Sequence, residues 1–175
     1  MRLFFALWPP AATAEALHAW ATKAQRNTGD RVTRAETIHL TLAFLGEVPD
    51  NRVDAAIAAG RRVRAPRGTL AIERAKWWKH NRIVWVGPEK TDASLHEALA
   101  AELRAEGFAL EKRAFAAHVT LIRKAGEGAL PSVPEVAWPV EKFVLVRSVL
   151  SGERPSYEML EEFELLCGNG AHIAQ

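Results

Sequence analysis

Two short segments of the 175-residue chain set a histidine two positions before a threonine in an otherwise apolar, β-prone run: His39-Leu-Thr-Leu and His118-Val-Thr-Leu. Successive side chains of a strand point to opposite faces, so His39 shares a face with Thr41, and His118 with Thr120. The aliphatic residues take the other face and are explained by packing. If the two polar faces meet across a cleft, two imidazoles and two hydroxyls surround one small ligand. That set suits in-line displacement at a phosphodiester. One group takes a proton from the attacking water, and a second, on the far side, protonates the leaving oxygen. Imidazole titrates near neutrality, so one of a pair can be neutral while the other is charged. Threonine hydroxyls can donate to non-bridging oxygens as charge develops there.

A lone histidine on a strand is more often structural than chemical. Two copies at matching places in a repeat favour function. A metal site is the other use of such residues, but zinc wants a third protein ligand. Neither motif has a Cys, Asp or second His at close spacing, so no metal is expected.

The elements that must position these residues recur too. Arg2-Leu-Phe-Phe-Ala-Leu-Trp-Pro9 and Arg82-Ile-Val-Trp-Val-Gly-Pro88 are short β-prone runs, each stopped by proline. A helical pattern follows each, over about 11–26 and 91–106. Thr91 or Asp92 is the expected cap of the second, and Gly107 its stop. Then come the histidine motifs. The two histidines, the two prolines and the two arginines lie 79, 79 and 80 residues apart. A duplication, or two lobes of like topology, is the simplest reading.

The remaining segments complete each lobe: a helix over 51–64, a hairpin of 69–78 with 82–86, and a second hairpin of 142–150 with 157–166 about a turn near 151–155. Residues 126–139 read as a loop, and the tail from Gly168 as loose. The expected fold class is α+β, with antiparallel sheets flanked by helices and one bilobal unit spanning 1–175.

Hydrophobic residues are 49% and charged residues 25%, the balance of a folded globular chain. A net charge of +2 permits a polyanionic partner without demanding one. The single cysteine, Cys167, cannot form an internal disulfide and is expected to be a small buried residue. No signal-like segment or membrane span is read, so a cytoplasmic monomer is expected.

The residues resemble the two-histidine (2H) phosphoesterases, specifically the RNA 2′,3′-cyclic phosphodiesterases once called 2′-5′ RNA ligases. The resemblance covers nearly the whole chain. It rests on Arg2-Leu-Phe-Phe-Ala-Leu, His39-Leu-Thr-Leu-Ala-Phe-Leu-Gly46, Phe115-Ala-Ala-His-Val-Thr-Leu-Ile-Arg-Lys124 and the stretch from Val149 to Leu160 around Tyr157. It implies a bilobal fold with a central cleft, no cofactor, and hydrolysis of RNA 2′,3′-cyclic phosphate ends or small cyclic nucleotides to a 2′-phosphate. It assigns His39 as proton donor, His118 as acceptor, Thr41 and Thr120 as phosphate holders, and Arg123 as added charge. Strand parity puts Arg123 on the opposite side from His118 and Thr120 unless the strand ends or bulges. The strain and internal leaving group of such a cyclic ester make a metal-free site plausible.

Two further readings belong to other classes. The cleft can serve an RNA end-binding or processing module with little turnover, or an ATP-independent 2′-5′ ligase. The sequence has no phosphate loop of the Gly-x-x-x-x-Gly-Lys kind. Elsewhere, His18 and His96 read as surface or satisfied helix residues, His80 as a turn residue able to touch RNA, and His172 as part of the tail. One of Trp77 and Trp78, with Phe4, Phe44 or Tyr157, is a candidate for stacking a base. The run Arg61, Arg62, Arg64, Arg67 reads as a solvated face rather than an RNA platform.

Overall fold

The computed structural model describes residues 1–152 and 154–168. In chain order the strands and helices are β1 (Arg2–Leu7), α1 (Ala11–Thr28), β2 (Arg31–Val32), β3 (Leu40–Glu47), α2 (Val53–Arg62), β4 (Gly68–Thr69), β5 (Arg74–Trp78), β6 (Ile83–Gly87), α3 (Ser94–Ala105), β7 (Val119–Arg123), β8 (Pro139–Val140), β9 (Lys142–Ser151) and β10 (Arg154–Glu164). Among the described residues two four-stranded antiparallel sheets form, in the orders β10-β9-β1-β3 and β2-β7-β6-β5. This is the α+β fold of two similar lobes that the repeat implied.

The likeness of the lobes extends to register. β1 meets β3 as Phe5↔Ala43, Ala6↔Thr41 and Leu7↔Leu40; β6 meets β7 as Val84↔Ile122, Trp85↔Thr120 and Val86↔Val119. Every residue of the second set follows its counterpart by 79 positions. Both ladders break at the equivalent step, where Leu42 and Leu121 are the extra residues of a β-bulge.

The core follows from sequence period. On β1, Leu3, Phe5 and Leu7 enter the main core, while Phe4 and Ala6 join Val144 and Val146 on the other face of the sheet. α1 buries Ala14, Leu17, Ala21 and Ala24, one stripe at helical spacing. α2 buries small residues, Ala56, Ala59 and Gly60, which lets it lie close to the Phe163 ring. The main core also contains Val84, Val86, Val119 and Leu121, so it runs through both lobes. No helix among the described residues is long and apolar enough to cross a membrane.

Several expectations are corrected. β5 starts at Arg74, because Gly68 and Thr69 pair instead with β8. The second hairpin turns more tightly than expected, with Arg154 and Pro155 already in the ladder. α3 begins at Ser94; Asp92 accepts from the Ser94 amide, but Thr91 accepts from the amide of Ala117. Cys167 is exposed, because β10 ends at Glu164 and the chain leaves the sheet. The 126–139 segment is pinned along α1, where Trp20 donates to Ser132, Asn27 to Ala129 and Thr13 to Ala137. The tail beyond Gly168, with His172, lies outside the described residues.

Candidate active site

His39 and His118 immediately precede β3 and β7, so each sits at the start of a strand whose first residue, Leu40 or Val119, is buried in the core. Both line one cavity of about 280 Å³, together with Thr41, Thr120 and Arg123. The structure thus brings together all five residues singled out in the sequence.

Each histidine is anchored in the same way. His39 Nδ1 lies 2.7 Å from the Thr37 carbonyl, and His118 Nδ1 lies 2.8 Å from the Ala116 carbonyl. A carbonyl only accepts, so Nδ1 carries the proton in both rings and Nε2 is the nitrogen left to exchange one. Aromatic rings fix the imidazole planes. Trp8 stacks on His39 at 4.9 Å and 9°, with Phe4 at 5.1 Å and Tyr157 edge-on at 5.3 Å. His118 has Trp78 at 4.9 Å and Trp85 at 6.3 Å.

The surroundings disfavour the charged form of both rings. Burial lowers His39 from 6.5 to about 4, against the bond to Thr37, and the charges of Arg123 and His118 lower it further. Burial also lowers His118, again opposed by its backbone bond and helped by Arg123 and Arg113. Burial and the Arg123 guanidinium act on both rings in the same direction, and an anion bound in the cavity would raise both.

Arg123 reaches the cavity because of the bulge. Leu121 and Ile122 are both buried, so alternation is reset and Arg123 emerges beside Thr120. The parity objection fails for that reason. In the first lobe the same reset exposes Phe44, the residue equivalent to Arg123, with Arg2 lying over its ring at 5.0 Å.

Other candidates separate clearly. His18 and His96 are satisfied helix residues, donating to the carbonyls of Thr33 and Leu42. The His96 bond matters to the site, since Leu42 is the bulge residue of β3. Trp77 packs on the core and donates to Ala125. Trp78 instead borders an adjoining groove of about 510 Å³, with His80, Phe115 and Arg113, that shares Thr41, Asn81 and His118 with the cavity. Phe4 is buried, whereas Tyr157 lines the cavity. The run of arginines is held by side-chain carboxylates or backbone: Arg61 by Glu161, Arg62 by Glu102 and Glu106, Arg67 by Glu141 and Glu164, and Arg64 on the carbonyls of Arg61 and Val63. Trp8, Arg34 and Arg154 were not singled out from sequence. Nothing in their spacing marks them, because each reaches the site only through the tertiary fold. Among the described residues no group of three or more His, Cys, Asp or Glu side chains is placed to share a metal ion.

A family model described as LigT-like phosphoesterase matches residues 7–85. The chain is 32% identical to the RNA 2′,3′-cyclic phosphodiesterase of Escherichia coli (strain K12), over 94% of its own length and 96% of the relative's. It is 32% identical to the enzyme of that name from Thermus thermophilus, over its full length and 96% of the relative's. The crystal structure of E. coli LigT complexed with 3′-AMP superposes with a TM-score of 0.83 at 32% identity, covering 94% of this chain and 97% of that one.

Proposed function

The chain belongs to the LigT-like phosphoesterases, and on that premise we propose that it hydrolyses the 2′,3′-cyclic phosphate at RNA ends to a phosphomonoester, by metal-independent catalysis with two histidines. The observation that carries this reading is the pair of imidazoles, each bonded through Nδ1 to the backbone and lining one cavity. Two Nε2 atoms then serve one phosphorus. His118 Nε2 takes a proton from the attacking water as its oxygen bonds to phosphorus. His39 Nε2–H gives a proton to the departing ribose oxygen as its bond to phosphorus breaks. Departure of the 3′ oxygen leaves a 2′-phosphate and a 3′-hydroxyl. Thr41 and Thr120 donate to the non-bridging oxygens, and Arg123 offsets the charge that builds on them. Besides the histidines, the cavity wall supplies hydroxyls and guanidiniums, which bind phosphate rather than a cation. The occupant is RNA with a cyclic phosphate end, or a small cyclic nucleotide; E. coli LigT, with 3′-AMP in its crystal, is a relative that takes a nucleoside phosphate. We read the chain as one bilobal unit acting as a cytoplasmic monomer.

The test is an oligonucleotide ending in a 2′,3′-cyclic phosphate, incubated with purified protein in excess chelator. The expected product is a 2′-monoester, identified by its resistance to a 3′-phosphatase. Activity abolished by chelator and restored by zinc overturns the metal-free mechanism. Tight binding with no turnover between pH 4 and 9 makes the chain an RNA end-binding module instead.

A further inference from the structure

The cavity carries more positive charge than the reacting group calls for. A cyclic phosphodiester has one negative charge, and Arg123 already lines the cavity together with the two histidines. Yet the same cavity is also lined by Arg31 and by the pair Arg34 and Arg154, and by no Asp or Glu among the described residues. These two come from different parts of the chain. Arg34 follows β2, and Arg154 opens β10. They are drawn together where Arg34 Nη2 donates to the Pro155 carbonyl at 3.5 Å. Arg34 has Glu36 at 3.4 Å on its Nε, which leaves the opposite edge of the fork directed at β10. Guanidiniums that line one cavity repel each other, and an anion bound among them relieves that repulsion.

The chemistry of the substrate says which anion this can be. In a 2′,3′-cyclic ester both secondary ribose oxygens are used, so a further phosphate on the same nucleotide must sit on the 5′ oxygen. We propose that Arg34 and Arg154 form a second phosphate subsite, which takes the 5′ phosphate of the nucleotide bearing the cyclic ester. That phosphate is a terminal monoester in a mononucleotide and the internucleotide diester in a chain; the shared chemistry is the anionic oxygens. The inference rests on the hydrolytic reading above and narrows its substrate class to cyclic ends that carry a 5′ phosphate.

The experiment compares kcat/KM for cytidine 2′,3′-cyclic phosphate, the same compound phosphorylated on its 5′ oxygen, and a dinucleotide ending in the cyclic ester. Both phosphate-bearing substrates should exceed the bare nucleoside by about 10-fold or more, the scale of hydrogen bonds to a charged group. Arg34→Gln and Arg154→Gln should each reduce that ratio, and the double variant should bring it near one, with thermal midpoints showing that the variants fold. A wild-type ratio near one, or one that survives the double substitution, overturns the subsite. A gain confined to the dinucleotide also overturns it, by assigning the preference to the extra nucleoside. Failure to open any of the three substrates instead refutes the hydrolytic reading.

Discussion

His39 and His118 hold the same hydrogen bond in two different lobes, each donating Nδ1–H to the carbonyl two residues before it, Thr37 for one and Ala116 for the other. The bond sets the tautomer and the direction of Nε2 together. It does so with backbone atoms, so no third side chain is needed to orient either ring. The lobes differ in what surrounds the anchored ring. His39 lies in a box of Phe4, Trp8 and Tyr157, whereas His118 lies against Trp78 and Trp85 and is lowered by Arg113 as well as by the Arg123 that both rings share. A charged imidazole is favoured over aromatic faces and disfavoured beside guanidiniums. Burial and Arg123 lower both rings, so the assignment of His39 as donor and His118 as acceptor belongs to the proposed mechanism and is what the variants below test.

Replacing either histidine by alanine should lower kcat by about 10²–10⁴-fold, the range for one general acid or base. The double variant should lose less than the product of the two, because the pair acts as a unit. A substrate with an activated leaving oxygen needs little protonation, so it should rescue His39→Ala and not His118→Ala. Rescue of the other variant reverses the two roles.

The pH profile follows from the depressed pKa values. The proposed reactive form has His39 protonated and His118 neutral, and burial lowers both groups in the free protein. kcat/KM reports the free protein, so its bell should lie on the acid side of 6.5, with limbs belonging to the pair rather than to either ring. kcat reports the complex. There the bound phosphate raises both values, and the bell should move to higher pH. A kcat/KM optimum above pH 8 would contradict the burial argument.

Arg123 gives a separate handle on the same profile. Its charge lowers both His39 and His118. Arg123→Gln should therefore shift both limbs of the kcat/KM profile upward, besides lowering the rate through the lost phosphate contact. A role confined to packing would leave the limbs where they were.

How far the sequence could be read depends on which physical rule set each feature. The repeat and the two motifs were visible because period-2 alternation and a shared offset are properties of the chain itself. The bulges at Leu42 and Leu121 were not, since an extra residue is defined only against a partner strand. Arg123 was accordingly placed on the wrong face by parity alone. Cys167 was expected inside from its apolar neighbours, but the strand stops before it. Trp8, Arg34 and Arg154 reach the cavity or its histidines from three separate segments, a convergence only the fold creates.

The acid limb of stability should also report His39. Its folded pKa of about 4 lies below the unfolded value of 6.5, so the unfolded chain binds more protons between those values. Stability should fall as pH drops through that window and level off below it. Urea midpoints from pH 7 to 4 measure this, and His39→Gln should flatten the decline. An equally steep decline in that variant assigns it to other groups.

Two glycines should separate folding from catalysis. A Cβ on Gly60 would stand 2.6 Å from the Phe163 ring, which packs against Phe5 and Phe143. Overpacking of this kind costs about 1–3 kcal/mol. In a domain of this size the thermal midpoint should fall by about 2–4 °C for each kcal/mol. Turnover per folded molecule should hold, because α2 and Phe163 do not line the cavity. Gly87 is different. A Cβ there would meet the Ala117 carbonyl at 2.8 Å and the His118 Cα at 3.5 Å. Backbone cannot swing aside as a side-chain tip can, so the segment carrying His118 must shift. Misplacing a catalytic group by about 1 Å can cost about 10²-fold in rate. Gly87→Ala should therefore lose turnover out of proportion to its stability, while Gly60→Ala loses stability with turnover intact. The check is kcat and thermal midpoint measured on both variants. A Gly87→Ala protein of normal kcat would mean that close approach of β6 does not hold His118 in place.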